Sequence, residues 1–173
     1  MKNWFRRQAI KMSLRKIKRP VGKVNYGIIK KVAIVASVNN TQQYKQLLNV
    51  VSDLQKSNKK VTAIVYLNQK VISADYAVSE NVVIIKKDEF NWFGKPKSVF
   101  VTDFLKAEFD LLFEFDLDNL YAVEYTVALC LSKTKVGSTK GNVKYLDLMI
   151  EQEQLNIQVL FAELLRYLNM MNN

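Results

Sequence analysis

The clearest pattern of apolar and polar positions lies in residues 109–117, FDLLFEFDL. Every odd-numbered residue is apolar, whereas Asp110, Glu114 and Asp116 occupy even-numbered positions. A period of two is typical of a β-strand with one buried face. This strand is therefore expected at the centre of the fold.

The segment after this strand has the pattern of a buried helix. Asp118 is a candidate N-cap, and residues 119–131 follow with almost no charge, which is typical of a helix apolar on all sides. Lys133 and Lys135 are expected at the helix C-terminus, and a parallel strand is expected to begin at Val136. Together these elements predict a right-handed βαβ unit.

The rest of the chain alternates in the same way. Short apolar runs predict strands at residues 32–38, 61–67, 81–85 and 145–150. Helices are expected after the cap at 39–41, at 99–106 and at 153–170. Their apolar stripes are Tyr44, Leu47, Leu48, Val51 and Leu54 in the first, and Ile157, Leu160, Phe161, Leu164 and Leu168 in the last. Residues 71–78 fit either a loop or a short helix.

This alternation predicts an α/β fold: a three-layer sandwich with a mostly parallel, Rossmann-like sheet. Counted from the N-terminus, the strands are expected in the order 3-2-1-4-5, with 145–150 at an edge. The carboxyl ends of strands 1 and 4 would then lie side by side. Residues 23–173 are expected to form a single domain, preceded by a basic arm at 1–22.

Charge is concentrated near the N-terminus. Twelve of the 26 basic residues precede Asp53, which is the first acidic residue, so the rest of the chain has 14 basic against 16 acidic residues. Within residues 1–19 the apolar positions follow a helical spacing, and Pro20 and Gly22 are expected to end the helix. The apolar positions are Trp4, Ile10, Leu14 and Ile17.

Three interpretations of the arm remain open: packing on the domain, binding to RNA or another polyanion, and docking on a membrane surface or acting as a transit peptide. The candidate phosphate-binding residues are Arg6, Arg7, Lys11, Arg15, Lys16, Lys18 and Arg19.

The loop at residues 86–98, KKDEFNWFGKPKS, places three aromatic side chains among four lysines. Such rings either stack on bases or on a ligand ring, or they plug the end of a sheet, which is the more common case. Trp92, Lys95 and Lys97 are the candidate contacts for RNA or a partner.

Glu114, Asp116 and Asp118 are the candidate ligand site. Glu114 and Asp116 share a strand face at the carboxyl end of the predicted sheet, where open parallel sheets bind ligands. They are suited to hold Mg²⁺ or to act as acid and base. Ion pairs with Lys133 or Lys135, together with helix capping by Asp118, explain the same residues without any ligand.

Composition excludes several classes of chemistry. The chain has no histidine, which removes Ser-His and Cys-His nucleophile pairs and histidine metal ligands. The one cysteine, Cys130, lies in the apolar helix and is expected to be a buried hydrophobe. No run approaches a membrane span, and no secretory apolar block is present, so a cytoplasmic location is expected. No catalytic residue, metal ligand or cofactor is assigned.

Several segments resemble an uncharacterised family of short α/β proteins common in the Bacteroidota. The resemblance covers nearly the whole chain and implies a bacterial cytoplasmic protein of unknown function without assigned catalytic residues. It is carried by residues 90–97 (FNWFGKPK), 109–112 (FDLL), 136–137 (VG) and 145–150 (YLDLMI). Residues 110–137 are also similar to a segment of heptosyltransferase-like glycosyltransferases, which have a second nucleotide-sugar domain; this likeness implies fold and not activity.

The sequence thus predicts a non-catalytic binding protein that contacts RNA or a ribonucleoprotein through its basic arm. The runner-up is a small nucleotide or sugar-phosphate enzyme that uses the carboxylates. A third interpretation is an adaptor for a protein partner, or a protein associated with a membrane surface.

Overall fold

The computed structural model describes residues 1–68, 74–76, 79–86, 88–153 and 156–171. Within these ranges the helices are α1 (Lys2–Leu14), α2 (Thr41–Lys56), α3 (Val99–Lys106), α4 (Tyr121–Leu129) and α5 (Ile157–Met170), with a short 3-10 helix at Val143–Tyr145. The strands are β1 (Lys31–Val38), β2 (Lys60–Leu67), β3 (Val82–Lys86), β4 (Glu108–Phe115), β5 (Leu131–Ser138) and β6 (Leu148–Ile150).

The strands form one sheet in the order β3-β2-β1-β4-β5-β6, and all neighbouring pairs are parallel. The predicted order 3-2-1-4-5 is confirmed, with the strand within 145–150 at the edge as β6. Strands β1 and β4 are neighbours, with Ala36 opposite Phe115. Their carboxyl ends meet where the chain order reverses, which is where open α/β sheets bind ligands.

Helices cover both faces of the sheet, which confirms the three-layer α/β architecture. On one face, the residues Val32, Ile34 and Ala36 of β1 pack with α2 and α5. On the other face, the alternate residues Ala33 and Val35 pack with α1, α3 and α4. Strand β1 is therefore buried on both sides, as its continuous apolar sequence predicts. Within the described ranges, no helix combines the length and apolar content needed to cross a membrane.

Strand β4 is also covered on both faces. Leu111, Phe113 and Phe115 face α2 and α5, where Phe113 stacks on Phe115 with 6.0 Å between ring centroids and meets Phe161 edge to face at 5.3 Å. Its even-numbered face turns Glu114 and Asp116 inward, and both side chains are buried. The strand predicted to have one buried face thus has two.

The predicted boundaries of α4 and β5 were wrong. The helix ends at Leu129 and not at 131, because Cys130 is extended and β5 pairs with β4 from Leu131 onward. Lys133 and Lys135 consequently lie on β5 and not at the end of a helix. The Lys135 ammonium nevertheless meets the helix C-terminus from the strand, since it donates to the carbonyl oxygens of Val127 and Ala128 at 2.5 and 3.1 Å.

Helix α1 is shorter than predicted and packs differently. It ends at Leu14, and the following segment is held by β5, where the Gly22 amide donates to the Lys133 carbonyl at 3.2 Å. Thr134 Oγ1 donates in turn to the Gly22 carbonyl at 2.7 Å, so the segment after Leu14 is tied to β5 and does not continue the helix to Pro20 as predicted. Ile10 packs against α4 and is buried, whereas Trp4, predicted on the same apolar stripe, is 60% exposed. The division of the chain at residue 22 stays a prediction.

The remaining differences are small. The predicted strand at 81–85 is Val82–Lys86, and the strand at 145–150 is shortened to Leu148–Ile150 by the preceding 3-10 helix. The closing helix begins at Ile157, where the Asn156 side chain accepts from the amides of the first turn. Most of the ambiguous segment 71–78 lies outside the described residues.

Truncating Phe113 tests the contribution of the doubly covered strand. We expect Phe113→Ala to lower the free energy of unfolding by about 3–5 kcal/mol, because it leaves a cavity between β4 and α5. The matched control is Phe100→Ala, since Phe100 is exposed on α3, and its effect should stay within about 0.5 kcal/mol. Urea unfolding monitored by circular dichroism measures both. Equal losses would contradict the assignment of Phe113 to the core.

Candidate functional site

The predicted site residues lie at two places. Glu114, Asp116 and Asp118 belong to a hydrogen-bonded group at the carboxyl ends of β1, β4 and β5. We call this group the carboxyl-edge network; its members are Ser37, Asn39, Glu114, Asp116, Asp118 and Asn142. The predicted RNA-binding residues lie instead on α1, on the segment after it and on the loop that follows β3.

Asp116 has the most hydrogen-bond partners in the carboxyl-edge network. Its Oδ1 accepts from Ser37 Oγ at 2.9 Å and from the backbone amides of Asp118 and Leu120 at 3.1 and 3.4 Å. Its Oδ2 accepts from Asn142 at 3.3 Å. Burial raises the pKa of Asp116, and these hydrogen bonds oppose the rise. Asp116 therefore organises the turn into α4, which is the role that the sequence predicted for Asp118.

Glu114 is enclosed by the turn after β5. Both of its carboxylate oxygens accept from the Asn142 backbone amide at 3.1 Å, and Oε1 also accepts from the Asn142 side chain. A Cβ atom at Gly141 would lie 2.4 Å from Glu114 Oε2, so a larger residue there would displace the Glu114 carboxylate. Burial raises the pKa of Glu114 to about 7, the nearby charges of Asp116 and Glu124 add to the rise, and the Asn142 hydrogen bonds oppose it.

Asp118 does not cap α4. Its Oδ1 accepts from Asn39 Nδ2 at 2.5 Å, which joins the ends of β4 and β1. Within the described ranges, its buried Oδ2 has no hydrogen-bond partner. Residue Leu120 occupies the N-cap position and supplies no side-chain hydrogen bond. The predicted capping role of Asp118 was wrong because the chain makes a further turn before the helix begins.

The expected ion pairs of the carboxylates are replaced by amide and hydroxyl contacts. Lys133 pairs with Asp110 at 2.9 Å, and Lys135 binds backbone carbonyls. Burial lowers the pKa of Lys135 to about 8. In the part of the chain that the structure describes, no group of three or more His, Cys, Asp or Glu side chains is placed to hold a metal ion. Glu114 can hold a proton at neutral pH, but the carboxylate oxygens of Glu114 and Asp116 already have protein donors.

Sequence reasoning missed Ser37, Asn39 and Asn142. Ser37 and Asn39 lie at the end of the apolar strand β1, and Asn142 lies in the turn after β5, while the carboxyl ends of parallel strands meet at one edge of a sheet. Their position near the strand ends was the signal from which the sequence could have revealed them as site residues. Cys130 is buried and its pKa is raised by burial to about 12, as expected for an unreactive thiol.

The loop after β3 is seated against α1. Tyr121 donates from its hydroxyl to the Gly94 carbonyl at 2.7 Å and also meets the Arg6 carbonyl at 3.3 Å. Gly94 has φ of +78°, and a Cβ there would lie 2.6 Å from the Tyr121 hydroxyl and 3.2 Å from the Arg6 Cα. Tyr121 therefore contacts both the tip of the loop and the first turns of α1, which brings predicted residues from these two segments together.

The three aromatic rings of the loop have different environments. Phe90 is buried and meets Tyr121 and Tyr125 edge to face at 5.6 and 5.5 Å, so it plugs the end of the sheet. Trp92 and Phe93 are each 63% exposed. Plugging the end of the sheet therefore accounts for Phe90, whereas Trp92 and Phe93 remain on the surface.

Two of the predicted basic residues, Arg6 and Arg19, have side chains that contact other groups of the protein. The Arg6 guanidinium lies over the Tyr121 ring, 4.7 Å from its centroid. Arg19 donates to the carbonyls of Ser132 and Lys133 at 2.6 and 3.0 Å, and it forms an ion pair with Asp147. The remaining predicted cations are exposed: Arg7, Lys11, Arg15, Lys16, Lys18, Lys95 and Lys97.

Two clefts flank the loop. The first, which we call the α1 groove, has a volume of about 510 Å³ and is lined by Trp4, Phe5, Ala9, Met12 and Phe93, with Lys16 and Lys95 among its polar residues. The second, which we call the loop cleft, has a volume of about 420 Å³ and lies on the side of Phe90 and Trp92. Arg7 and Lys11 line a separate recess on another side of α1, beside Glu124 and Lys144.

The buried Glu114 carboxyl makes stability depend on pH. Because its folded pKa of about 7 is above its ordinary value of 4.5, the folded state binds the proton more tightly. The resulting stabilisation is present below pH 4.5 and is lost as pH rises through 7. In Glu114→Gln, the fall in unfolding free energy between pH 5 and 8 should shrink by on the order of 2 to 3 kcal/mol.

Urea unfolding across this pH range measures the effect. Asp116 is retained in the variant, and because its pKa is also raised, it still contributes part of the dependence of unfolding free energy on pH. The control is Glu163→Gln on the exposed side of α5, which should keep the parent slope. An unchanged slope in Glu114→Gln would show that Glu114 does not carry the extra proton.

Arg19 is expected to act in stability. Arg19→Ala removes the donors that satisfy the Ser132 and Lys133 carbonyls and should lower the unfolding free energy by about 1–3 kcal/mol. The matched control, Arg15→Ala, removes the same side chain from an exposed position and should change it by less than about 0.5 kcal/mol. Thermal unfolding of both variants at equal salt compares them. A silent Arg19→Ala would contradict the anchoring role.

Comparison with known proteins completes the description of these surfaces. No curated protein matched the chain, and no solved structure did. A family model described as a family of unknown function, DUF6913, matches residues 2–171, which include both α1 and the carboxyl-edge network. The chain therefore belongs to this family of unknown function.

Proposed function

We propose that this protein is a non-catalytic binding protein that holds single-stranded RNA, free or within a ribonucleoprotein, along the α1 groove. One observation supports this most directly: exposed rings of Trp4 and Phe93 line the same groove as the ammonium groups of Lys16 and Lys95. Bases stack on aromatic rings regardless of their identity, and cations track the phosphates. The groove offers both.

Charge supports the same partner. The chain has a formal net charge of +10, and the excess is carried by the residues before Asp53. Five of the predicted cations on α1 and the segment after it remain exposed after folding, and Lys95 and Lys97 add two from the loop. A polyanion that binds here releases counterions, which supplies sequence-independent affinity.

The membrane-surface interpretation is less well supported. A docking helix inserts its apolar side chains into the lipid, but Ile10 is buried against α4 and Leu14 and Ile17 are packed on the same cluster. Trp4 and Met12 are the large apolar residues of α1 beyond Met1 that stay exposed. The apolar side of α1 is thus used within the protein, while its cations face solvent.

The enzyme interpretation is also less well supported. Glu114 is 1% exposed, and both it and Asp116 accept hydrogen bonds from protein donors. A general acid or base needs to reach a proton on its substrate.

A location in the bacterial cytoplasm, where RNA is present, is part of the proposed RNA-binding function.

Charge-neutralising variants test the proposal without deleting α1, whose removal would uncover α4. Lys16→Gln with Lys95→Gln should weaken binding of a fluorescent 12-nucleotide single-stranded RNA. The slope of log K against log salt should become shallower by about 0.7 per lost phosphate contact. Fluorescence anisotropy between 25 and 300 mM salt measures this slope.

Matched variants separate local contacts from net charge. Lys45→Gln with Lys60→Gln removes the same charge from exposed positions on α2 and β2 and should leave the slope close to that of the parent protein. Trp4→Ala should weaken binding by about tenfold at every salt concentration with the slope unchanged, since it removes a stacking surface and no charge. Absence of RNA binding at low salt, or equal loss in both double variants, would refute the proposal. Selective binding to anionic vesicles would instead favour the membrane interpretation.

A further inference from the structure

The loop cleft differs from the α1 groove in containing a free acid. It lies at the carboxyl edge of the sheet, and its volume falls within the range of small-ligand sites. The lining residues are Arg6, Asp88, Phe90, Asn91, Trp92, Leu120, Tyr121 and Ala122. Asp88 is the acidic residue among them, and Arg6 is the basic one.

The Asp88 carboxylate is available to a ligand. It is exposed, and within the described ranges it makes no hydrogen bond and no ion pair. An ionised carboxylate accepts hydrogen bonds at both oxygens and donates none, and it repels phosphate. A ligand that pairs with both oxygens of Asp88 at once therefore presents two adjacent donors.

Guanine has this arrangement. Its Watson–Crick edge carries the N1–H and N2–H₂ donors side by side, and unpaired bases are read on this edge by polar side chains while they stack on aromatic ones. Adenine presents an acceptor at N1, and cytosine and uracil lack two adjacent donors. A carboxylate thus pairs with guanine in two parallel hydrogen bonds and disfavours the other bases.

Neighbouring residues complement the rest of the nucleotide. Asn91 is held in place by Lys95, whose amide donates to Asn91 Oδ1 at 3.0 Å and whose carbonyl accepts from the Asn91 amide at 2.8 Å. The Asn91 Nδ2 group is left to donate to guanine O6. Trp92 supplies an exposed ring for stacking, and the Arg6 guanidinium, which lies over the Tyr121 ring, has donors to offer to a phosphate.

We infer that the loop cleft binds a guanine base, with Asp88 reading the N1 and N2 donors, Asn91 reading O6 and Trp92 stacking. The base comes either from an RNA strand or from a free guanine nucleotide. For the RNA source, the inference rests on the proposed function and adds base specificity to it: Trp92 and Phe93 are adjacent, so a strand in the α1 groove reaches the cleft by crossing the loop tip. No bond is made or broken.

The first experiment compares 12-nucleotide oligouridylates with a single central guanine, adenine or hypoxanthine. We expect the guanine oligomer to bind about tenfold more tightly than the adenine oligomer, and hypoxanthine, which lacks the 2-amino group, to lose most of this advantage. Asp88→Asn should abolish the preference, because an amide pairs better with adenine. The matched control is Glu89→Gln, which removes the same charge one residue away and should keep the preference.

The second experiment tests the free nucleotide. In a Trp4→Phe background Trp92 is the sole tryptophan, so its fluorescence reports on the cleft. Guanosine monophosphate should quench this fluorescence at concentrations about tenfold lower than adenosine or inosine monophosphate, and Asp88→Asn should remove the difference. Circular dichroism of each variant checks that it is folded.

The outcomes separate the two proposals. Salt-dependent RNA binding with guanine and adenine bound equally in both experiments would refute the guanine site and leave the proposed function intact. No RNA binding, but Asp88-dependent binding of guanosine monophosphate, would refute the RNA function and assign the cleft to a free nucleotide. A guanine preference that survives Asp88→Asn would refute the role given to Asp88.

Discussion

Strand β4 lies between two helical layers, so the polar residues on its even-numbered face need partners inside the protein. A buried carboxylate without hydrogen bonds is costly, and Glu114 and Asp116 therefore depend on donors from neighbouring segments. Those donors come from the end of β1, from the turn after β5 and from the backbone amides that precede α4. The same hydrogen bonds that satisfy β4 thereby fix the turns at the carboxyl edge of the sheet and the start of α4.

This constraint explains why the reversal point between β1 and β4 is not an open crevice. Ser37 donates to Asp116 and accepts from the Leu117 amide at 2.8 Å, and Asn39 reaches across to Asp118. The side chains that line a ligand site in other open α/β sheets are here hydrogen-bonded to one another. Ligand-accessible space lies beside this point, where the loop after β3 meets α1 and α4.

Tyr121 links the two surfaces. It stands in the first turn of α4, directly after the turn that Asp116 organises, and its hydroxyl holds the loop through the Gly94 carbonyl. Its ring also supports the Arg6 guanidinium. Gly94 has positive φ and no space for a Cβ, so this position requires glycine, and in the same loop Phe90 is turned inward while Trp92 and Phe93 are turned outward.

The sequence by itself determined the architecture, because strand and helix periods are local properties. Alternation in 109–117 and continuous apolar runs in β1 and β2 were sufficient for a parallel three-layer sandwich and for its strand order. The stripe of α5 was also correct, since its five residues are all buried. For the candidate site, the sequence named Glu114, Asp116 and the basic and aromatic residues as candidates because of their side-chain chemistry.

Tertiary structure alone decided what those residues contact. Lys133 and Lys135 were predicted at the end of a helix, but they lie on β5 because this segment pairs with β4. Helix α1 was predicted to continue, but it ends at Leu14, and the segment after it contacts β5. Asn142 and Ser37 became the partners of the carboxylates although they are 28 and 79 residues away from them in the chain. Such contacts depend on where the strand ends and the turns after them place individual side chains, and a local pattern contains no information about that.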